Sequence, residues 1–250
     1  MLDVLNFLKK KDKPAEIRHL AISIKGVLKW SKKNDKPLDE AFLRRDMVIL
    51  SLISMMVEKN IPILTIYVLP QKVIGVSGKY ELGEKYQQDY ETVNYLSNFF
   101  RKLVIDEIIS KNKIKISVLG KWYGLPGMIV ESIKSIIDKT KDYDHFFLNF
   151  CVNYNGQEEI IDAFNLIQKE IHDGNIDSEL QPLNKNLIKE NTYSSYFIPP
   201  DLIIETGIDH KFSGLLLWDS VNARIFFIDK LFPDVKKDDV EEIIDKMAKD

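Results

Sequence analysis

This 250-residue sequence has a single cysteine, four histidines and no long apolar run. It has one cysteine, Cys151, inside the apolar run FLNFCV. That excludes a disulfide framework and fits a reducing, cytoplasmic setting, with the thiol buried and inert. The four histidines, His19, His145, His172 and His210, share no zinc-like spacing. No apolar run approaches the roughly 18 residues a transmembrane helix requires. An excess of positive charge is missing too. The 35 basic and 38 acidic side chains leave a net charge of −3, which argues against a nucleic-acid partner. Neither the dinucleotide motif GxGxxG nor the phosphate loop GxxxxGK[ST] occurs. The opening MLDVLNFLKKKDKP is no signal peptide, because its apolar part is short and no small-residue cleavage site follows. Leu2, Leu5, Phe7 and Leu8, followed by Lys9 to Lys11, predict an amphipathic helix over 1–16. It either packs on the body or makes a peripheral membrane contact through its lysines.

What is present is a regular alternation. Six short runs rich in Ile, Val, Leu and Phe fall at 17–24, 63–69, 114–119, 146–152, 202–205 and 224–228. They show little polar alternation, as strands buried on both faces do. Helical spacing of apolar residues fills 38–59, 82–111, 125–139 and 156–173. A proline stands near the first turn of the third of these, a favoured place for one. The polar stretch 174–191 reads as a loop with one short helix. The expectation is a single α/β domain over 17–235, with about six mostly parallel strands flanked by helices, closed by a C-terminal helix over 236–250. Ligands bind such sheets beyond the carboxyl ends of the strands. Those ends carry Lys25 and Gly26, residues 70–72, Gly120 and Lys121, 153–156, and 205–211.

These strand ends, in this order, resemble the cis-prenyltransferase family, which includes undecaprenyl and dehydrodolichyl diphosphate synthases. HLAISIKGVLKWSKK is similar to the family's first signature, His-x-Ala-x-Ile-Met-Asp-Gly-Asn-Gly-Arg-Trp-Ala. VLGK resembles its Ile-Gly-Asp turn, and LNFCVNYNGQEEIIDA its Asn-Tyr-Gly-Gly-Arg segment. PPDLIIETGIDHKFSGLLLWDSVNARIFFIDKLFPDV resembles its closing signature of Arg-Thr-Ser-Gly-Glu, a basic residue, serine and a Leu-Leu-Trp helix. The resemblance implies a hydrophobic tunnel for a growing prenyl chain and dimerisation through the last strand. It also implies condensation of isopentenyl diphosphate onto an allylic diphosphate with Mg²⁺.

The residues that the resemblance assigns to that chemistry are altered. Lys25 stands at the metal aspartate, and an ammonium has no lone pair to ligate Mg²⁺. Val27 and Leu28 replace asparagine and glycine, and Lys29 replaces arginine; only Gly26 and Trp30 match there. Phe42 and Arg45 fall on a His-x-x-Gly pair, and residues 70–73 on a Ser-x-Glu-Asn loop. Glu205 reverses the charge of a diphosphate-binding arginine. Repulsion from it at about 4 Å costs about 1–4 kcal/mol, depending on the local dielectric. Lys211 keeps charge without the bidentate fork of arginine, and Ser213 is retained. Arg224 stands at a metal-binding glutamate, so neither metal position, Lys25 or Arg224, holds a ligand. A swapped Glu205–Arg224 ion pair is the expected filling of the emptied site. His210 lies in the former substrate loop and is a further candidate contact.

The degenerate substrate site is therefore Lys25, Gly26, Lys29, Trp30, Glu205, Lys211 and Ser213, with no catalytic residue and no metal held by this chain alone. The expected function is a noncatalytic accessory subunit, similar to the Nogo-B receptor type. It would serve a heteromeric enzyme that makes long-chain polyprenyl diphosphate, the dolichol-like lipid carrier for glycosylation. Its partner would be a catalytic paralogue that binds Mg²⁺, in a heterodimer or heterotetramer. Such subunits commonly end in an arginine-x-glycine tail, whereas this sequence ends DKMAKD. Activation would then act through the interface alone. Three alternatives stand beside this reading: an active prenyltransferase gripping diphosphates with Lys25, Lys29, Lys121 and Lys211, a prenyl-lipid binder, and a homodimer.

Overall fold

Branched and aromatic residues crowd the strand segments, and each such strand must be covered on both faces. The computed structural model describes residues 17–71, 84–177 and 182–247, with 84–89 described as backbone only. Six strands form: β1 His19–Ser23, β2 Ile63–Pro70, β3 Ile114–Leu119, β4 Phe146–Tyr154, β5 Leu202–Thr206 and β6 Arg224–Ile228. They make one sheet in the order β3-β4-β2-β1-β5-β6. Every neighbouring pair is parallel, so the expected mostly parallel sheet is parallel throughout.

The connecting helices are α1 Val27–Asn34, α2 Leu38–Glu58, α3 Glu84–Leu103, α4 Glu107–Lys111, α5 Gly127–Thr140, α6 Gly156–His172, α7 Lys185–Asn191 and α8 Lys237–Met247. Successive residues of a strand point to opposite faces. On β4, Phe150 joins the large core with Leu52, Leu96 and Phe100, while Phe147 and Cys151 face Tyr67, Ile203 and Leu215 on the other side. Cys151 is buried, and burial pushes its thiol well above the ordinary range.

The stretch 82–111 was expected as one helix, but it breaks between α3 and α4. Asp106 is the cause: its Oδ1 accepts the Ile108 amide at 3.0 Å and starts a new helix there. The expected N-terminal helix over 1–16 and the end of the C-terminal helix, 248–250, lie outside the described residues. Among the described residues no helix is long and apolar enough to cross a membrane.

Parallel register positions the site. Ser23 at the end of β1 lies beside Glu205 on β5. The chain then turns at Gly26, whose φ of 82° lets it cap α1 in a left-handed conformation. A Cβ on Gly26 would lie 2.5 Å from Leu231 Cδ2, so a side chain there would also push the leucine tip aside.

Candidate functional site

The turn after β1 and the loop after β5 meet because their strands are neighbours. The Lys25 amide donates to Thr206 Oγ1 at 3.1 Å, and Thr206 Oγ1 donates to the Ser23 carbonyl at 2.7 Å. Phe232 N donates to the Lys25 carbonyl at 3.0 Å. The lysine backbone is thus held from both sides, and its side chain enters the site.

Glu205 is fully buried there. Its Oε1 accepts from the Ser213 amide at 2.8 Å and from the Ser213 hydroxyl at 2.6 Å. Its Oε2 lies 3.1 Å from Lys25 Nζ. The same ammonium is 3.6 Å from Asp209 Oδ1 and donates to the Lys211 carbonyl. Ser213, assigned by resemblance to diphosphate binding, therefore grips an internal carboxylate. A bare carboxylate buried without a counter-ion would be costly, and Lys25 supplies that counter-ion.

The expected Glu205–Arg224 pair is not what forms. Register sets Glu205 against Phe227, while Arg224 opens β6 opposite Leu202. That is three residues, or about 10 Å, towards the far end of the strand. Arg224 instead donates to the Met247 carbonyl at 3.4 Å.

Other expected positions are dispersed. Trp30 is buried, donates from Nε1 to Asp234 Oδ1 at 2.6 Å, and carries the Arg44 guanidinium 4.8 Å above its ring. It fastens α1 to the Phe232–Asp234 turn. Lys29 and Lys211 are exposed. Lys121 is matched by Glu158 Oε2 at 3.1 Å and Asp162 Oδ2 at 3.0 Å. Of the four lysines proposed to grip a diphosphate, two are thus already paired with carboxylates. His210 pairs with Asp229, and its ring lies 5.4 Å from that of Phe227. Residues 72 and 73 of the second-strand loop lie outside the described residues.

Sequence reasoning missed two features. Asp209 faces Lys25, which only the loop geometry reveals. Arg45, noted as a lost glycine, is buried in α2 and stacks its guanidinium 4.7 Å from the Phe42 ring and 5.9 Å from that of Phe99 on α3. It pairs with Asp46 Oδ1 at 2.6 Å.

A cleft of about 410 Å³ remains beside the cluster, lined by Tyr67, Pro70, Asn155, Ser213 and Leu217. Mg²⁺ does not suit the cluster. The oxygens that could meet it, Glu205 Oε2 and Asp209 Oδ1, already face an ammonium, and the described residues hold no group of three or more metal-ligating side chains. Within the cluster the charged groups are paired with one another.

Comparison with known proteins identifies the family. The sequence family described as "Putative undecaprenyl diphosphate synthase" matches residues 24–250. A tritrans,polycis-undecaprenyl-diphosphate synthase (geranylgeranyl-diphosphate specific) of Pyrococcus furiosus is 27% identical over 236 residues, 93% of this chain and 84% of that protein. An isoprenyl transferase of Thermotoga maritima is 27% identical over 239 residues, 93% and 94% of the two chains. The crystal structure of lavandulyl diphosphate synthase from Lavandula x intermedia in complex with dimethylallyl diphosphate superposes with a TM-score of 0.82. It is 20% identical and covers 94% of this chain and 96% of its own, a likeness of fold. With its six parallel strands and a family match over most of its length, the chain belongs to the undecaprenyl diphosphate synthase, or cis-prenyltransferase, family.

Proposed function

We propose that this chain is a noncatalytic subunit of a heteromeric cis-prenyltransferase, working beside a catalytic paralogue that binds Mg²⁺ and both diphosphates. The observation that carries this reading is the buried Lys25–Glu205 pair with Ser213 closed upon it. An incoming diphosphate would have to displace a carboxylate that already holds the serine amide and hydroxyl. A metal would have to displace an ammonium tethered to the chain. Both displacements oppose binding, and neither residue can ionise an allylic diphosphate. The intact sheet and core leave the chain able to present a family-like surface to a partner.

The relatives' names favour a second reading, an active prenyltransferase with an altered site. One assay separates the two. Labelled isopentenyl diphosphate and an allylic diphosphate are incubated with Mg²⁺ and this chain, the paralogue, or both. The accessory reading expects no product from this chain alone and more product from the mixture than from the paralogue. Sustained elongation by the purified chain alone overturns it.

A further inference from the structure

The loop that follows β5 brings three oxygens to one point. Glu205 Oε2 is fully buried and accepts no hydrogen bond. It lies 3.1 Å from Lys25 Nζ, Asp209 Oδ1 lies 3.6 Å from the same nitrogen, and the Lys211 carbonyl accepts from it. Two carboxylate oxygens and a carbonyl are the hard donors that hold Mg²⁺ or Ca²⁺ in proteins. Glu205 Oε2 makes no hydrogen bond, so the Lys25 ammonium is the charge that offsets its burial.

The backbone is shaped to this convergence. Gly207 has a φ of 105°, and a Cβ there would lie 3.2 Å from Lys25 Cβ. His210 adopts a φ of 44°, uncommon outside glycine, and its ring is tied to Asp229. The end of the loop is fixed by Ser213 on Glu205 Oε1 and by Leu216 N, which donates to Tyr154 Oη at 3.1 Å.

We propose that Lys25 is a tethered cation: its ammonium permanently fills an oxygen cage of Glu205, Asp209 and the Lys211 carbonyl, and so keeps the 207–213 loop closed without any divalent ion. The ammonium donates to the Lys211 carbonyl and sets a compact positive charge beside the two carboxylate oxygens. Being on the same chain, it also enters at high effective concentration, against which a free cation must compete. Asp209 is half exposed, so water could complete the shell of an ion that took the ammonium's place. The inference deepens the noncatalytic reading and rests on the same cluster.

The test uses Mn²⁺ as the probe, with binding followed by electron paramagnetic resonance and loop closure by hydrogen exchange of residues 207–213. The unaltered chain should bind no Mn²⁺ at millimolar concentration. Lys25→Ala should bind one ion per chain with a Kd of about 10⁻⁴–10⁻³ M, the range of weak oxygen sites. Adding Glu205→Gln to that variant should abolish binding. Amides of the loop should exchange about tenfold faster in Lys25→Ala and slow again when Mn²⁺ is added. Lys25→Ser serves if the alanine variant does not fold. If neither folds, Asp209→Asn in the otherwise unaltered chain decides: loss of one cage charge should speed exchange of the 207–213 amides, and unchanged exchange overturns the proposal. Mn²⁺ binding by the unaltered chain through Glu205, or a folded small-side-chain variant that binds none, overturns the proposal. Turnover by this chain alone together with Mn²⁺ binding only after Lys25 is removed would defeat the noncatalytic reading and leave the cage standing.

Discussion

At the scale of single residues, His19 shows how a side chain at a strand start is fixed by what surrounds it. Its Nδ1 lies 2.6 Å from the Ile198 carbonyl, which can only accept, so Nδ1 carries the proton. Its Nε2, 2.8 Å from Thr65 Oγ1, is then the acceptor of that hydroxyl, and Thr65 Oγ1 accepts from Asn149 Nδ2 at 3.1 Å. This row needs a neutral ring. Burial lowers the His19 pKa from 6.5 to about 4, against smaller opposing effects of the Ile198 bond and of Asp219 and Asp201. The direction of the pH effect follows. Between about pH 6.5 and 4 the unfolded chain takes up a proton that the folded chain refuses. Stability is therefore full above that window, falls as pH falls through it, and levels off below about 4. The loss attributable to this ring is about 3 kcal/mol. Urea unfolding from pH 7 to 4 should show that slope, and His19→Gln should remove it while lowering stability at pH 7. A variant with the same slope as the unaltered chain would mean that His19 does not titrate this way.

At the scale of elements, an ion pair within α2 sits in an apolar setting where that helix faces α3. Arg45 is enclosed by Phe42 and Phe99, with Asp46 beside it. Burial raises the Asp46 carboxyl pKa and Arg45 pulls it back. Asp46→Ala strands a buried guanidinium and should cost about 3–5 kcal/mol in urea unfolding, whereas Arg45→Met with Asp46→Ala should recover most of that loss. A double variant as unstable as the single one would refute the pairing argument. Neither this pair nor the core of the site was legible in the sequence, although the sheet was. Runs such as ILTIYVL declare buried strands by composition alone, and strand ends declare where ligands go. Position along the chain does not declare register. Counting along the family signature suggested Glu205 and Arg224 as partners, but parallel pairing sets Arg224 at the other end of the strand from Glu205. Lys25 meets Glu205 because β1 and β5 are adjacent, a fact carried by strand order alone. The 82–111 period continues through Asp106, so the helix break there depends on one side chain bonding its own backbone.

At the scale of the whole molecule, the edge strand β6 joins the proposed partner surface to the Lys25 cluster. It has β5 on one side and no strand on the other among the described residues. Ile225 and Phe227 point outward from it, 37% and 40% exposed, an apolar pair on an open edge. Such edges invite another chain, and buried aromatic anchors dominate interface energetics. Phe227 also touches His210, and His210 pairs with Asp229, so the loop that closes on Lys25 is fastened to the same strand. A partner docked on β6 would stiffen that loop. Replacing Phe227 by serine, with Ile225 changed likewise, should leave thermal stability close to that of the unaltered chain, because both side chains are already partly in water. Association with the catalytic paralogue should weaken by about 30- to 1000-fold, the loss of about 2–4 kcal/mol expected of an anchor. Sedimentation of the mixed chains measures it, and stimulation of product formation should fall in parallel. If the double variant still binds and stimulates the paralogue fully, the partner surface lies elsewhere on the molecule and the link through His210 serves only the loop.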